Sequence, residues 1–463
     1  MRQSLVGLFL LFLTGCGETV PQGVIGHVKG FAGIVISDEP KAATIARDIL
    51  SSGGNAADAA VALYFAQAVT YPSRAGIAAG GICMAYSNKD KKIEVVNFAN
   101  VSGLPLGPRA MAGLHSKYGS SRWEALLSPA EGLARFGNPV SRALAQDLLK
   151  LPETDFNDVD TRKFFYPKGP LKEGEKLLQP DLAAFISRLR ANGVGDLYAG
   201  KLAGQIIPMF KSLKIEIDPE KFKLMAPVWE EPISAKVGNE TLYFPTTPIG
   251  KQMQGLWKKL TEEGKIYAKA PKEDRPFVVL DVLIKEKALP IADGGNGFLV
   301  LDKDGSGVAC GLSMGSLFGR GFFLPGLGII LPDPVPDVPP PVISVNKHTN
   351  EIHYLAAGGG AEMGFAAILD NMLLVNILEV SPSDAASNPR LMPGDGMVIY
   401  EEGESKSIID GIKKRKLTPM TQPNAGRVNS INCKDGLPSN PNSCLFATDP
   451  RGFGLGFRVG DKK

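Results

Sequence analysis

Residues 49–62 read ILSSGGNAADAAVA, and this run decides how the chain begins to fold. Apolar residues at helical spacing lead into it from Pro40 to Leu50, and Gly53-Gly54 stops that helix. Asn55 can cap a second helix, in which Ala56 to Val69 is rich in small side chains. Small side chains let a helix pack close to its neighbours, so the default reading is a core helix. Beyond it, Gly80 to Tyr86 reads as a buried strand. A polar turn follows at Asn88 to Lys92, and Ile93 to Phe98 is the hairpin partner.

Further along, residues 110–260 are helical in period, with apolar stripes over Trp123 to Phe136 and Asp181 to Asn192. From residue 295 the pattern changes to strands. Phe298 to Leu301 is one, Asp302 to Gly305 a hairpin turn, and Gly307 to Leu312 the return strand. Asp333 to Pro341 is proline-dense and expected to be irregular. Met363 to Glu379 reads as a helix and Arg427 to Cys433 as a late strand. No internal repeat is visible. These blocks predict a layered α/β protein with largely antiparallel sheets.

Composition sets the outer limits. The 463 residues carry 51 basic and 48 acidic side chains, a net charge of +3 that gives no reason to expect nucleic-acid binding. Arg2 followed by the apolar run Leu5 to Leu13 reads as a targeting segment, too short to span a bilayer as a stable helix. It ends in Leu13-Thr14-Gly15-Cys16, which is similar to a bacterial lipobox. The expectation is a signal peptide over 1–15, a lipidated Cys16 that anchors the chain to a membrane, and a tether over 16–30. The protein would then sit in the bacterial envelope, on the periplasmic side of the outer or inner membrane. Acyl chains on one residue would hold it there, with no transmembrane helix elsewhere. Export implies an oxidising compartment. A disulfide between Cys433 and Cys444 is expected to close a polar loop, whereas Cys83 and Cys310 lie in apolar runs and read as buried thiols. The cysteine and histidine spacings suggest no metal site.

Several segments, taken in order, resemble the gamma-glutamyltranspeptidase family. The Gly53-Gly54-Asn55-Ala56-Ala57-Asp58-Ala59-Ala60 core is one. Pro72-Ser73-Arg74-Ala75-Gly76-Ile77, ahead of Gly80-Gly81, is the next. Gly113 to Gly119 with Trp123 to Leu127, then Gln179 to Ala183 and Leu197 to Ala203, continue the match. Val300 to Gly305, Phe318-Gly319, Gly326 to Leu331, Pro389-Arg390 and Asp449-Pro450-Arg451 close it. The resemblance implies a four-layer αββα sandwich of the N-terminal-nucleophile hydrolase type. One domain over 31–463 would comprise a large-subunit-like part (31–294) and a small-subunit-like part (295–463). It also implies the chemistry. Family members transfer or hydrolyse the gamma-glutamyl group of glutathione and similar amides, after cutting themselves before a Thr whose freed amine can act as base.

Here the pattern departs from the family. Gly295 falls at the nucleophile position, and residues 292–297 contain no Ser, Thr or Cys. The Arg that the family pairs with the substrate carboxylate is replaced by Ala99, and the loss of such a charge-assisted pair weakens binding. The family's acidic run becomes Pro332-Asp333-Pro334, with Asp333 a poor substitute, and its paired Ser become Asp337 and Val338. Ser313 keeps a small hydroxyl near the strand. Gly359 and Gly360 resemble the pair whose N–H groups form the family's oxyanion hole. Without a nucleophile, a tight turn before the helix at Met363 is the preferred reading of them.

The expected function is therefore a pseudoenzyme: an uncleaved, membrane-anchored family member serving as a binding or scaffold protein, with no cofactor. Two alternatives stand beside it. One is an active transferase or hydrolase with a displaced nucleophile at Cys310 or Ser313. The other is a non-catalytic protein that binds a gamma-glutamyl or peptide ligand. His115, His348, His353 and the run Lys413 to Lys416 read as surface features.

Overall fold

A computed structural model describes residues 28–99, 102–156, 158–262, 265–287, 295–335, 337–401, 405–422 and 426–460. Cys16, the 1–15 segment, His27 and residues 292–294 lie outside the described residues. Among the described residues no helix is long and apolar enough to cross a membrane.

The 49–62 run folds as its residues dictate. Helix α1 (Pro40–Ser51) ends at the glycine pair, and α2 (Ala56–Thr70) begins one residue after Asn55. The Asn55 side chain accepts from Asp58 N at 3.0 Å, and Asp58 accepts from Asn55 N at 3.1 Å, so each satisfies an otherwise unpaired donor. All fifteen residues of α2 are buried. Ala, with no side chain beyond Cβ, is what allows a helix to be enclosed on every side.

Two antiparallel sheets stack beneath it. The first contains β1 (Gly33–Ser37), β2 (Gly80–Ser87), β3 (Lys92–Asn97) and β4 (Val228–Glu230). The second begins with β5 (Ile233–Val237) and β6 (Glu240–Phe244). The chain then returns to the first sheet with β7 (Gly295–Asp302) and β8 (Gly307–Ser313). It completes the second with β9 (Val342–Asn346), β10 (Ile352–Gly359), β11 (Arg427–Leu437) and β12 (Cys444–Ala447). Finally β13 (Leu455–Val459) closes the edge of the first sheet. The strand orders are β13-β1-β7-β8-β2-β3-β4 and β12-β11-β10-β9-β6-β5.

The period-2 alternation of β7 shows how the layers are joined. Phe298 and Val300 face α1, α2, α3 (Gly107–Tyr118) and α4 (Trp123–Phe136) in one apolar cluster. Leu299 and Leu301 face the second sheet in another, with Ile343, Leu355 and Ile431. The far side of the second sheet is covered by α7, α8 and α9, which follow α5 (Arg142–Leu149) and α6 (Pro180–Asn192) in the chain. These covering helices span Pro248–Thr261, Arg275–Glu286 and Ala361–Leu378 respectively. Trp257 on α7 is fully buried there. The result is a four-layer αββα sandwich.

Two expectations need correction. Residues 110–260 are not all helical, because β4, β5 and β6 interrupt them. β5 and β6 are a hairpin in which Val237 pairs with Glu240 around Gly238-Asn239, and Gly238 takes φ +58°. Five-residue strands leave a weak periodic signal, and here the turn chemistry was the better clue. The second correction concerns Cys83 and Cys310, which are not free thiols. They oppose each other in the β2–β8 register and form a disulfide. Each apolar run alone gave no sign of its partner, which lies 227 residues away. A second disulfide joins Cys433 to Cys444 across β11 and β12.

The two sheets approach closely where β7 meets β10. A Cβ on Gly297 would lie 2.6 Å from Gly358 N and 2.8 Å from the Ala357 carbonyl carbon. At Gly295 the nearest atom would be Leu312 O at 3.3 Å. Overpacking against backbone costs about 1–3 kcal/mol. Gly297→Ala is therefore expected to lose about 2–3 kcal/mol in urea unfolding, and Gly295→Ala less than about 1 kcal/mol. Equal losses would contradict this packing.

Candidate functional site

The head of β7 is the place to look for chemistry, because the strand starts there against the end of β10. Ser313 pairs with Gly295 across β8. On the other side, an ideal Cβ on Gly295 would lie 3.8 Å from Gly359 Cα and 3.9 Å from Gly360 N. Four residues singled out from sequence thus converge: Gly295, Ser313, Gly359 and Gly360. Gly360 takes φ +96° and turns β10 directly into α9, so the tight strand-to-helix turn and the approach to residue 295 are the same feature.

Beneath the strand head lies a buried ionic cluster. The Gly295 carbonyl accepts from Arg74 Nη1 and from Arg427 Nη2, both at 3.1 Å. Arg74 forms a two-pronged pair with Asp147 of α5, Nε to Oδ2 at 2.7 Å and Nη2 to Oδ1 at 2.9 Å. Ser73 Oγ donates to the same carboxylate at 2.9 Å. Arg427 Nε lies 3.5 Å from Asp38 Oδ2. Asp38 accepts from Gly297 N at 3.2 Å and from Asn429 Nδ2 at 2.8 Å, and Asn429 Nδ2 also reaches Gly297 O at 3.1 Å. Asn296 Nδ2 donates to Arg74 O at 3.1 Å. Gly295 and Gly297 are tied down by side chains from distant parts of the chain, and Asn296 is tied by its own side chain to the Arg74 backbone.

The electrostatics follow from burial. Burial alone would raise the Asp147 pKa, but the Arg74 guanidinium outweighs it and holds the carboxyl below its ordinary value. The Tyr71 phenol is pushed well above its usual value by burial and by the nearby Asp147 charge. A carboxylate held ionised and already accepting several hydrogen bonds is a weak base. Ser313 Oγ accepts from Gly315 N at 2.9 Å, a bond that shapes the exit of β8. With Cys310 in a disulfide, the displaced-thiol alternative is removed. Among the described residues no group of three or more His, Cys, Asp or Glu could hold a metal ion.

The remaining positions serve structure. Asp337 accepts from Ile249 N at 3.1 Å and so caps α7, and Val338 packs between the sheets. Asp333 is tied to the exit of β8, its N–H donating to Met314 O at 2.9 Å and its carboxylate accepting from Ser316 Oγ. Ala99 follows β3, with its N–H on Asn97 Oδ1 at 2.9 Å. His115 holds Ser121 O and His353 lies beside Glu240. Sequence reading missed Asp38, Asp147, Arg427 and Asn429 as site neighbours. Arg74 belongs to one of the ordered motifs, and its role depends on a partner 73 positions away.

Removing one partner of a buried ion pair leaves the other uncompensated, at a cost of about 3–5 kcal/mol. Asp147→Asn should lose stability of that order at neutral pH. Because the folded pKa is depressed, this contribution is present above the ordinary carboxylate value and is lost as pH falls through the folded one. Urea unfolding from pH ~7 down to pH ~2 should show the gap between Asp147→Asn and the natural chain narrowing in acid. A gap independent of pH would contradict the assignment.

Comparison with known proteins agrees with this architecture. A sequence model of the gamma-glutamyltranspeptidase family matches residues 42–106 and 99–275. A glutathione hydrolase proenzyme of Bacillus subtilis (strain 168) is 32% identical over 239 residues, which is 43% of this chain and 40% of the relative. One from Escherichia coli (strain K12) is 30% identical over 259 residues, 50% of this chain and 44% of the relative. The matches thus span less than half the length of these relatives. In three dimensions, the crystal structure of a cephalosporin acylase from Bacillus halodurans superposes with a TM-score of 0.77 at 18% identity, covering 98% of this chain and 100% of that one. At that identity the likeness speaks for the fold alone, which is of the N-terminal-nucleophile hydrolase class. Taken with the family match over residues 42–275, this places the chain in the gamma-glutamyltranspeptidase family.

Proposed function

We propose that this chain is a non-catalytic member of its family, a lipid-anchored envelope protein whose intact sandwich serves as a binding or scaffold module. The observation that carries the proposal is Gly295. It lies at the head of β7, beside Gly359 and Gly360, where the family resemblance calls for a Thr. A glycine has no atom with which to attack an amide or to cut the chain before itself. The surroundings supply no replacement thiol, since Cys83 and Cys310 are bonded. Ala99 and the structural use of Asp337 and Val338 remove the groups that would hold a gamma-glutamyl substrate in the family's manner.

The anchoring part of the proposal rests on Cys16. The chain has five cysteines, and four are paired in two disulfides. Paired cysteines fit an oxidising compartment, and the remaining one stands in the lipobox-like run. Two or more acyl chains on that residue would hold the protein stably at a membrane surface.

The test is turnover of a gamma-glutamyl anilide by the purified chain at high enzyme concentration. The expected result is no release above the buffer rate, both for the natural chain and for Ser313→Ala. Release by the natural chain that Ser313→Ala abolishes would overturn the proposal and make Ser313 the nucleophile.

A further inference from the structure

A pocket of about 360 Å³ lies between the start of α6, the short helix Val159–Phe165 and the hairpin that pairs Phe323-Leu324 with Ile329-Ile330. It shares no wall residue with the strand head, so its case holds whatever residue 295 does. Asp158, Asp160 and Asp181 line it, and no Lys, Arg or His does. Among the described residues none of these three carboxylates pairs with a cation.

The carboxylate of Asp158 is fixed beside an aromatic wall. Its Oδ2 accepts from Thr161 N at 2.8 Å and from Thr161 Oγ1 at 2.7 Å, and that hydroxyl accepts in turn from Phe323 N at 2.9 Å. Half-buried Phe164 and Phe323 form the wall, their rings meeting edge to face with centroids 5.1 Å apart. Burial would raise the Asp158 pKa, but the hydrogen bonds from Thr161 outweigh it and hold the carboxyl below its ordinary value, so it is charged at neutral pH.

Acidic side chains alone would be an ordinary solvated edge. A buried acceptor marks this one as a site. Gln179 is a wall residue and 5% exposed. Its Nε2 donates inward to Val69 O at 2.8 Å, and among the described residues nothing donates to Oε1. Oε1 is not sealed inside the protein, so it meets solvent at this pocket. Anchored by its nitrogen, the amide presents its oxygen to the pocket as an acceptor.

We propose that this pocket receives a basic side chain, Lys or Arg, of a protein partner. Charged N–H groups answer ionised carboxylates and an amide oxygen, all of which only accept. A ring face of the aromatic wall attracts the cation, and Leu324 and Pro325 give its apolar stem a surface to lie on. A carboxylate or phosphate would instead meet three like charges. The volume suits one long side chain and not a whole helix or strand. Val159 and Leu178, which adjoin Asp158 and Gln179 in the chain, are exposed apolar side chains. The residues flanking a basic side chain in a peptide can cover them, and a free amine cannot.

The experiment titrates the full chain, methyl-labelled at Leu and Val, with the blocked tripeptides Leu-Arg-Leu, Leu-Lys-Leu and Leu-Gln-Leu and with n-butylammonium. The readout is the methyl resonances of Val159 and Leu324. The Arg and Lys peptides should give saturable shifts, the tighter of the two naming the partner's residue, and the Gln peptide should bind at least about tenfold more weakly. Asp158→Asn keeps the helix cap, because Asn caps as well as Asp does, and should weaken binding by about tenfold. Asp181→Asn, at an exposed position, should weaken it by about threefold. Shifts that never saturate, equal binding of the Gln peptide, or unchanged binding in both variants would overturn the proposal. Binding of n-butylammonium as tight as that of the peptides would overturn the protein partner. Because binding is read and not turnover, each of these results leaves the reading of residue 295 untouched.

Discussion

The Gly295 carbonyl, held at once by Arg74 and Arg427, is the contact on which the centre of this molecule depends. Two guanidinium groups buried beside each other would be prohibitive without counter-charges. Asp147 and Asp38 supply these, and each reaches the cluster from a different element. The head of β7 is therefore fixed by α5, by the loop after α2, by the residue after β1 and by β11 together. Such a site defines one position for the strand, and with it the register of both sheets. A second buried group, in which Asp449 pairs with Arg390 at 2.5 Å and with Arg451, does similar work at the start of β11, where Val428 N donates to Asp449 and Arg390 to Gly426 O.

The same few residues explain why side chains are missing at the sheet–sheet contact. Gly297, Gly358 and Gly359 let the two backbones touch. A Cβ at 359 would come within 2.4 Å of Gly295 O. Position 295 is different, for a Cβ there would be merely tight. Packing alone does not demand glycine at 295. The family fold is present, with its αββα layers and its glycine turn, and on the reading proposed above the residue at the strand head carries no reactive atom.

Much of this was legible in the residues and some was not. The α2 helix, its Asn55 cap and the β7–β8 hairpin followed from local patterns, because caps and two-residue periodicity are local physics. The ordered motifs carried the family, and with it the αββα layering that periodicity would not have shown. Pairings across long separations were invisible: Cys83 with Cys310, Arg74 with Asp147, and Asp38 with Asn429, which are 391 residues apart. Such contacts depend on strand order, which a single sequence does not reveal. The β5–β6 hairpin is hard to read for a different reason, since its Gly238-Asn239 turn joins two five-residue strands inside a stretch of helical period.

The central claim is that the chain stays whole because residue 295 cannot cut it. The intact mass of protein extracted from membranes, measured under reducing and denaturing conditions, tests this most directly. The account predicts a single polypeptide that runs uncut through residue 295. Two polypeptides divided just before residue 295 would contradict it.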